Sequence, residues 1–194
     1  MTIPVLNMTA TAHLHSLPSS KPILIVCMGV SGCGKSTLAS RLSNEWDFEY
    51  IEADDFHPDE NKSRMASGQP LTDDMRDPWI RALMQHLQIS VEQNRSCVMA
   101  FSGLRRAHRQ KFRFLGFNTL FVHLKGPKEL IRQRLTSRAN HFMPPQLIDS
   151  QFAALECTMS EKDIVEVAIT PDIEQVAQAT IQAARHYYEA HATK

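Results

Sequence analysis

Residues 29–36 read Gly29-Val30-Ser31-Gly32-Cys33-Gly34-Lys35-Ser36, between an apolar run at residues 22–28 and a helical pattern at residues 35–45. The spacing is G-x-x-x-x-G-K-[ST], in the strand–loop–helix setting that this motif requires. Glycines let the backbone fold tightly, so that successive N–H groups point at an anion. The following helix adds the positive end of its dipole. The motif therefore predicts a phosphate-binding loop for a nucleoside triphosphate.

The loop supplies most of the predicted nucleotide contacts. We expect Lys35 to reach the β- and γ-phosphates and the Ser36 hydroxyl to ligate Mg²⁺. ATP and Mg²⁺ are accordingly the expected cofactors. Cys33 lies near the predicted helix N-terminus, a position that predicts a lowered thiol pKa. The full set of predicted nucleotide-binding residues is Gly29, Val30, Ser31, Gly32, Cys33, Gly34, Lys35, Ser36 and Thr37.

Composition limits the classes of partner. Lys and Arg total 21 and Asp and Glu total 21 in 194 residues, so the formal net charge is zero. A neutral chain gives no electrostatic reason to expect a nucleic-acid or membrane partner, and the apolar runs are shorter than the ~20 residues of a membrane span. Four cysteines without a C-x-x-C pair predict reduced thiols and a cytoplasmic location. The expected partner is a small-molecule substrate.

Strand-like and helix-like patterns alternate along the chain, which predicts an α/β fold. Residues 1–21 lack periodicity and are predicted to be a disordered N-terminal tail, while residues 22–194 form one domain. The expected architecture is a five-stranded parallel sheet with helices on both faces. The predicted strands cover residues 22–28, 48–53, 96–101, 117–124 and 164–169. The predicted helices cover residues 35–45, 59–67, 78–94, 105–114, 127–139, 145–155 and 172–190.

A carboxylate pair follows the second predicted strand, at the sheet edge where ligands bind. Ser102 ends the third strand in place of an acidic residue, so Glu52 and Asp54 are the candidate carboxylates. Their spacing on an extended segment predicts that both face the same side. We assign Asp54 to the acceptor hydroxyl and Glu52 to a water on Mg²⁺. Asp54 or its neighbour could instead cap the next helix, and His57 could either hold an acceptor oxygen or pack.

Arginines form two further groups. Arg134 and Arg138 share one face of a predicted helix that leads into paired prolines, which is typical of a lid (residues 134–150) closing over phosphates; a solvated surface is the alternative. Near the ends of strands two and three lies a basic set that predicts a negatively charged acceptor. Its candidate substrate ligands are Arg64, Arg76, Arg105 and Arg109, and the sequence leaves open which of them holds the anion.

The segment 54–79 carries a more specific pattern. It reads Asp54-Asp55-Phe56-His57-Pro58, then Asn61-Lys62, then Met65-Ala66-Ser67-Gly68-Gln69-Pro70-Leu71-Thr72-Asp73-Asp74-Met75-Arg76-Asp77-Pro78-Trp79. This resembles the gluconate kinase (gluconokinase) family, which reads D-x-x-H-P…N-x-x-K-M-x-x-G-x-P-L-x-D-x-D-R-x-P-W here. Residues 147–156 resemble the lid region of the same family.

The resemblance implies a P-loop NTPase fold with a helical lid, similar to shikimate kinase. It also implies ATP-dependent phosphorylation of D-gluconate on its 6-hydroxyl, commonly by a homodimer. Lys35, Asp54, Arg134 and Arg138 are the expected catalytic residues, and His57 joins Asp54 among the expected substrate contacts.

The chain departs from the family pattern at several positions. Phe101 replaces a usual Cys, Arg105 and Arg64 each replace a usual Lys, and residues 157–162 replace a usual acidic-and-proline segment. Two alternative functions stay open, and the changes at Phe101 and Arg105 favour the first of them. One is a related kinase for another small hydroxy acid such as shikimate, and the other is a nucleotide-binding regulator without catalysis.

Overall fold

The computed structural model describes residue 19, residues 21–137 and residues 147–191. Most of the predicted N-terminal tail, the middle of the predicted lid and Arg138 lie outside the described residues. Among the described helices, none is long and apolar enough to cross a membrane.

Five strands and seven α-helices alternate along the described chain. The strands are β1 (Ile23–Met28), β2 (Glu49–Glu52), β3 (Cys97–Ala100), β4 (Asn118–Lys125) and β5 (Ile164–Ala168). The helices are α1 (Lys35–Trp46), α2 (Asp59–Ala66), α3 (Asp73–Glu92), α4 (Arg106–Arg113), α5 (Lys128–Thr136), α6 (Leu147–Ala154) and α7 (Ile173–His191). A 3₁₀ turn at Ala53–Phe56 follows β2.

All five strands are parallel, in the order β2-β3-β1-β4-β5. The side chains of β1 alternate between two buried clusters, as the period of a strand requires. Ile23, Ile25 and Cys27 pack on the face covered by α1, α5 and α7, whereas Leu24, Val26 and Met28 pack on the face covered by α3 and α4. The predicted five-stranded parallel sheet with helices on both faces is confirmed. Its central strand leads directly into the glycine-rich loop.

Two boundaries differ from prediction in ways that affect the site. Helix α3 begins at Asp73 instead of residue 78, because the Thr72 side chain caps it by accepting a hydrogen bond from the Met75 N–H. Strand β2 ends at Glu52, and the 3₁₀ turn that follows carries Asp54. The prediction that Glu52 and Asp54 share one side of an extended segment was therefore wrong.

Candidate active site

The loop after β1 is open where an anion would bind. Gly34 precedes α1 with φ +99°, and a Cβ added there would meet no atom within 4 Å. Gly32 has φ +83°, and a Cβ there would lie 2.7 Å from Cγ of Leu135, so a side chain would displace α5. The Lys35 ammonium folds back on the loop and donates to the Val30 carbonyl at 3.1 Å. The glycines thus provide a backbone cradle that fits a phosphate group.

Cys33 differs from the prediction made for it. Its side chain is buried, and burial raises the pKa of the thiol, outweighing the opposing effect of Lys35 and of the loop N–H groups. The expected lowering of the Cys33 pKa was wrong, because the helix N-terminus acts on a thiol that water does not reach.

A cleft of about 280 Å³ opens beside the loop. Six predicted site residues, from four separate segments of the chain, line it together: Ser31, Lys35, Asp54, His57, Arg76 and Arg105. The remaining lining residues are Met65, Pro70, Leu71, Trp79, Ser102, Leu104, Ser150, Gln151 and Ala154. The cleft is therefore polar at the loop and at the arginines, with apolar walls between them.

Asp54 lies in this cleft with 40% of its side chain exposed. Partial removal from water raises the pKa of its carboxyl; Lys35 opposes the shift, and the carboxylates of Glu52 and Asp55 add to it. A carboxylate with a raised pKa beside a phosphate-binding lysine is suited to accept a proton from a hydroxyl.

His57 is buried against the indole of Trp79, with ring centroids 3.9 Å apart. Burial lowers the pKa of its imidazole to about 4, helped by the charges of Lys62 and Arg76, so the ring is neutral at physiological pH. Asn61 Nδ2 donates to the Met75 carbonyl and lies 3.4 Å from His57 Nδ1, which assigns the ring hydrogen to Nε2. That nitrogen is 3.9 Å from Asp54 Oδ1. His57 packs against Trp79 and also lines the cleft, and its contact with an acceptor oxygen stays a prediction.

Oxygen-bearing side chains gather near the phosphate loop and the end of β2. The Tyr50 hydroxyl donates to Glu52 Oε2 at 2.8 Å, and Ser36 is close enough to oppose the rise in the Tyr50 pKa. Mg²⁺ takes oxygen ligands and in kinase sites uses few protein groups together with substrate phosphates. The hydroxyl of Ser36 and the carboxylate of Glu52 are oxygen donors of this kind, so the residues present fit a nucleotide-bound Mg²⁺.

The predicted acceptor arginines separate into two kinds. Arg76 and Arg105 line the cleft. Arg64 does not, because its Nε donates to the Pro70 carbonyl at 3.0 Å and holds the end of a loop.

Arg109 was wrongly predicted to contact substrate. Its side chain is fully buried, paired with Glu161 and bonded through Nη1 to the carbonyls of Gly103 and Leu104. A guanidinium committed to these partners anchors the segment after β3 and does not reach the cleft.

Phe101 also lies outside the cleft. Its ring is buried between Trp79 and Phe112, at centroid distances of 5.3 and 5.0 Å. The departure from the family at this position therefore lies in the packing behind Trp79, whereas the departure at Arg105 lies in the cleft lining itself.

A smaller depression of about 160 Å³ lies on the opposite side of the phosphate loop. Arg134 lines it together with Gly32, Gly34 and Thr37, and donates to the Ile169 carbonyl at 2.8 Å. The structure thus places Arg134 beside the loop and not in the lining of the cleft that contains Asp54.

Gln151 is a site residue that the sequence reasoning did not single out. From α6 its Oε1 accepts the Ser31 backbone N–H at 2.6 Å, and its Nε2 donates to Ser31 Oγ at 3.1 Å. A glutamine on a helix carries no sequence signal of this contact. The stretch 147–156 was linked to the lid only by its resemblance to the family.

The phosphate loop opens directly into the cleft, so the terminal phosphate of a nucleotide and a small acceptor would meet between Lys35 and Asp54. Phosphoryl transfer depends on positioning and on charge around the transferred group. Fold and site together define a P-loop kinase.

Comparisons with known proteins narrow this class. A family profile described as an AAA domain matches residues 24–161. A probable gluconokinase of Rattus norvegicus is 34% identical over 180 residues, covering 84% of this chain and 97% of its own. The thermoresistant gluconokinase of Escherichia coli K12 is 35% identical over 176 residues, covering 90% and 97%. A gluconokinase structure from Sinorhizobium meliloti superposes with a TM-score of 0.78 at 32% identity, covering 87% and 95%. The chain belongs to the gluconokinase family.

Proposed function

We propose that this kinase transfers the γ-phosphoryl group of MgATP to the 6-hydroxyl of D-gluconate, giving 6-phosphogluconate and ADP. The observation that carries the proposal is the cleft itself. Lys35 and Asp54 stand at the phosphate loop, and Arg76 and Arg105 supply positive charge elsewhere on the same lining. A small acid with a distant hydroxyl matches this division of charge, and the named activity of the relatives agrees with it.

The phosphate loop and Lys35 bind the nucleotide in this proposal. Backbone N–H groups of residues 29–36 hold the phosphates, and Lys35 leaves the Val30 carbonyl to meet the negative charge that the nucleotide brings. Arg134 and Thr37 flank the loop on its other side. Ser36 and Glu52 would hold Mg²⁺, which supplies charge neutralisation at the phosphate oxygens.

Asp54 acts on the acceptor. Its carboxylate accepts the hydrogen bond of the 6-hydroxyl and takes the proton as the oxygen attacks phosphorus. The neutral His57, whose Nε2 lies 3.9 Å from Asp54 Oδ1, would donate to an oxygen of the acceptor bound beside that carboxylate. Arg138 was predicted to share the phosphoryl charge; it lies outside the described residues, and this role stays a prediction.

The proposal is tested by MgATP-dependent ADP release with a panel of acceptors: D-gluconate, shikimate, glycerate, D-glucose and nucleoside monophosphates. We expect turnover with D-gluconate alone. Turnover with another acid would support the kinase activity but change the assigned acceptor. ATP binding without turnover on any acceptor would support the regulator instead.

Family membership also supports a homodimer, which sedimentation velocity tests directly. A single species of twice the 22.0 kDa chain mass is the expected result.

A further inference from the structure

The two arginines of the cleft share one carboxylate outside its lining. Asp73, in the first turn of α3, accepts a hydrogen bond from Arg76 Nη1 at 2.7 Å. The same oxygen, Oδ1, lies 3.3 Å from Arg105 Nε. Asp73 itself is 63% exposed and does not line the cleft. Arg76 and Arg105 therefore meet at a common anchor behind the cleft wall.

Arginine is suited to such an anchor because its donors form a planar fork. Arg105 turns Nε toward Asp73, and this atom is buried without a hydrogen bond in the described part of the chain. The terminal Nη atoms at the other end of the fork are then available to the cleft. The lysine that the family usually has at this position ends in a single nitrogen. It therefore cannot place one nitrogen against Asp73 and another against a ligand in the cleft.

The surroundings keep net positive charge at this end of the cleft. His108, on α4, has a pKa lowered by burial and by the charges of Arg76, Lys111 and Arg105, with Asp73 opposing. The imidazole thus adds no charge at neutral pH, and one carboxylate faces two guanidinium groups. A second carboxylate, brought by a ligand, would neutralise the remaining positive charge of the two guanidinium groups.

We propose that Asp73 is a positioning residue that holds Arg76 and Arg105 side by side as a clamp for the carboxylate of the acceptor. The clamp rests on the proposed function, since it assigns the acid end of the same substrate. The clamp selects sugar acids over the corresponding neutral polyols. Asp73 holds Arg76 through a hydrogen bond and faces Arg105, the member for which the family has lysine, at 3.3 Å.

The test compares Asp73→Asn with Asp74→Asn. Both residues are exposed acids in the first turn of α3, so both substitutions remove the same charge and the same favourable interaction with the helix dipole. We expect Asp73→Asn to raise KM for D-gluconate about tenfold or more, with much smaller effects on kcat and on KM for ATP. Asp74→Asn should match the wild type, and Asp73→Glu should recover part of the loss.

A second variant tests whether the separate nitrogen atoms of the Arg105 guanidinium are needed. Arg105→Lys restores the family residue and keeps the charge, and we expect it to raise KM for D-gluconate and to narrow the preference for D-gluconate over D-glucitol. The proposal is overturned if Asp73→Asn and Asp74→Asn behave alike while the wild type turns over D-gluconate. A wild type inactive on D-gluconate would instead contradict the proposed function, and with it the clamp.

Discussion

Asp54 and His57 face each other across 3.9 Å and differ in their response to pH. The pKa of Asp54 is raised by partial removal from water, and that of His57 is lowered to about 4 by burial. Each shift favours the neutral form. At neutral pH the imidazole is uncharged and the carboxylate is the proton acceptor. We therefore attribute the loss of activity at low pH, the acid limb of the pH profile, to protonation of Asp54.

We predict that kcat falls as pH is lowered, with an apparent pKa above the 3.8 of an ordinary aspartate. The sign follows because protonation removes the base, and the raised pKa moves the loss to higher pH. Asp54→Asn should lower kcat about 10²–10⁴-fold and abolish the limb. The kcat–pH profile measures this. An unchanged limb in Asp54→Asn would exclude Asp54 as its source.

At the scale of elements, the Gln151 side chain attaches α6 to the phosphate loop. Gln151 bonds both the N–H and the hydroxyl of Ser31, and Ser150, Gln151 and Ala154 of the same helix line the acceptor cleft. Asp149 further ties α6 to α5 through Lys128 and Arg132. The nucleotide loop and one wall of the acceptor cleft are thus mechanically connected.

Gln151→Ala is predicted to lower kcat/KM for D-gluconate about tenfold, because the loss of two hydrogen bonds loosens this wall. Gln151→Glu should be worse, since a carboxylate cannot donate to Ser31 Oγ and repels the phosphates. Gln133→Ala, on the exposed face of α5, is the matched control. Equal kinetics for Gln151→Ala and the control would contradict the role of this contact.

The secondary-structure elements also show how much of the fold and of the site could be predicted from the sequence. The glycine loop and the apolar alternation specified the parallel sheet, because both signals are local. Arg105 and Arg109 looked alike by charge and position. The difference between them depends on Glu161, which pairs with Arg109 from 52 residues away, and no local pattern reports that. Tyr50, Asn61 and Gln151 were missed for the same reason: each acts through a contact formed only in the folded chain.

For the whole molecule, the ion pairs around Glu161 join α4 to the segment before β5. Glu161 accepts hydrogen bonds from Arg109 and Arg113, and Arg113 also pairs with Asp163. Because Arg109 holds the carbonyls of Gly103 and Leu104, this network also fixes the segment that leads to Arg105. The same network of ion pairs therefore stabilises the fold and holds the segment that leads into the acceptor cleft.

Arg109→Met should lower the free energy of unfolding by about 3 kcal/mol, because it takes one of two guanidinium partners from the buried Glu161 and removes the Arg109 hydrogen bonds to the carbonyls of Gly103 and Leu104. Urea denaturation measures the change. Arg106→Met, on the exposed side of the same helix, should change stability little. An effect of Arg109→Met no larger than that of Arg106→Met would contradict this structural role.

The central claim concerns where the phosphoryl group goes, and ³¹P NMR of the product formed from MgATP and D-gluconate tests it most directly. We predict a phosphate monoester resonance coupled to the methylene protons of carbon 6, appearing together with ADP. A monoester coupled to a methine proton, or ADP with inorganic phosphate and no ester, would contradict the account.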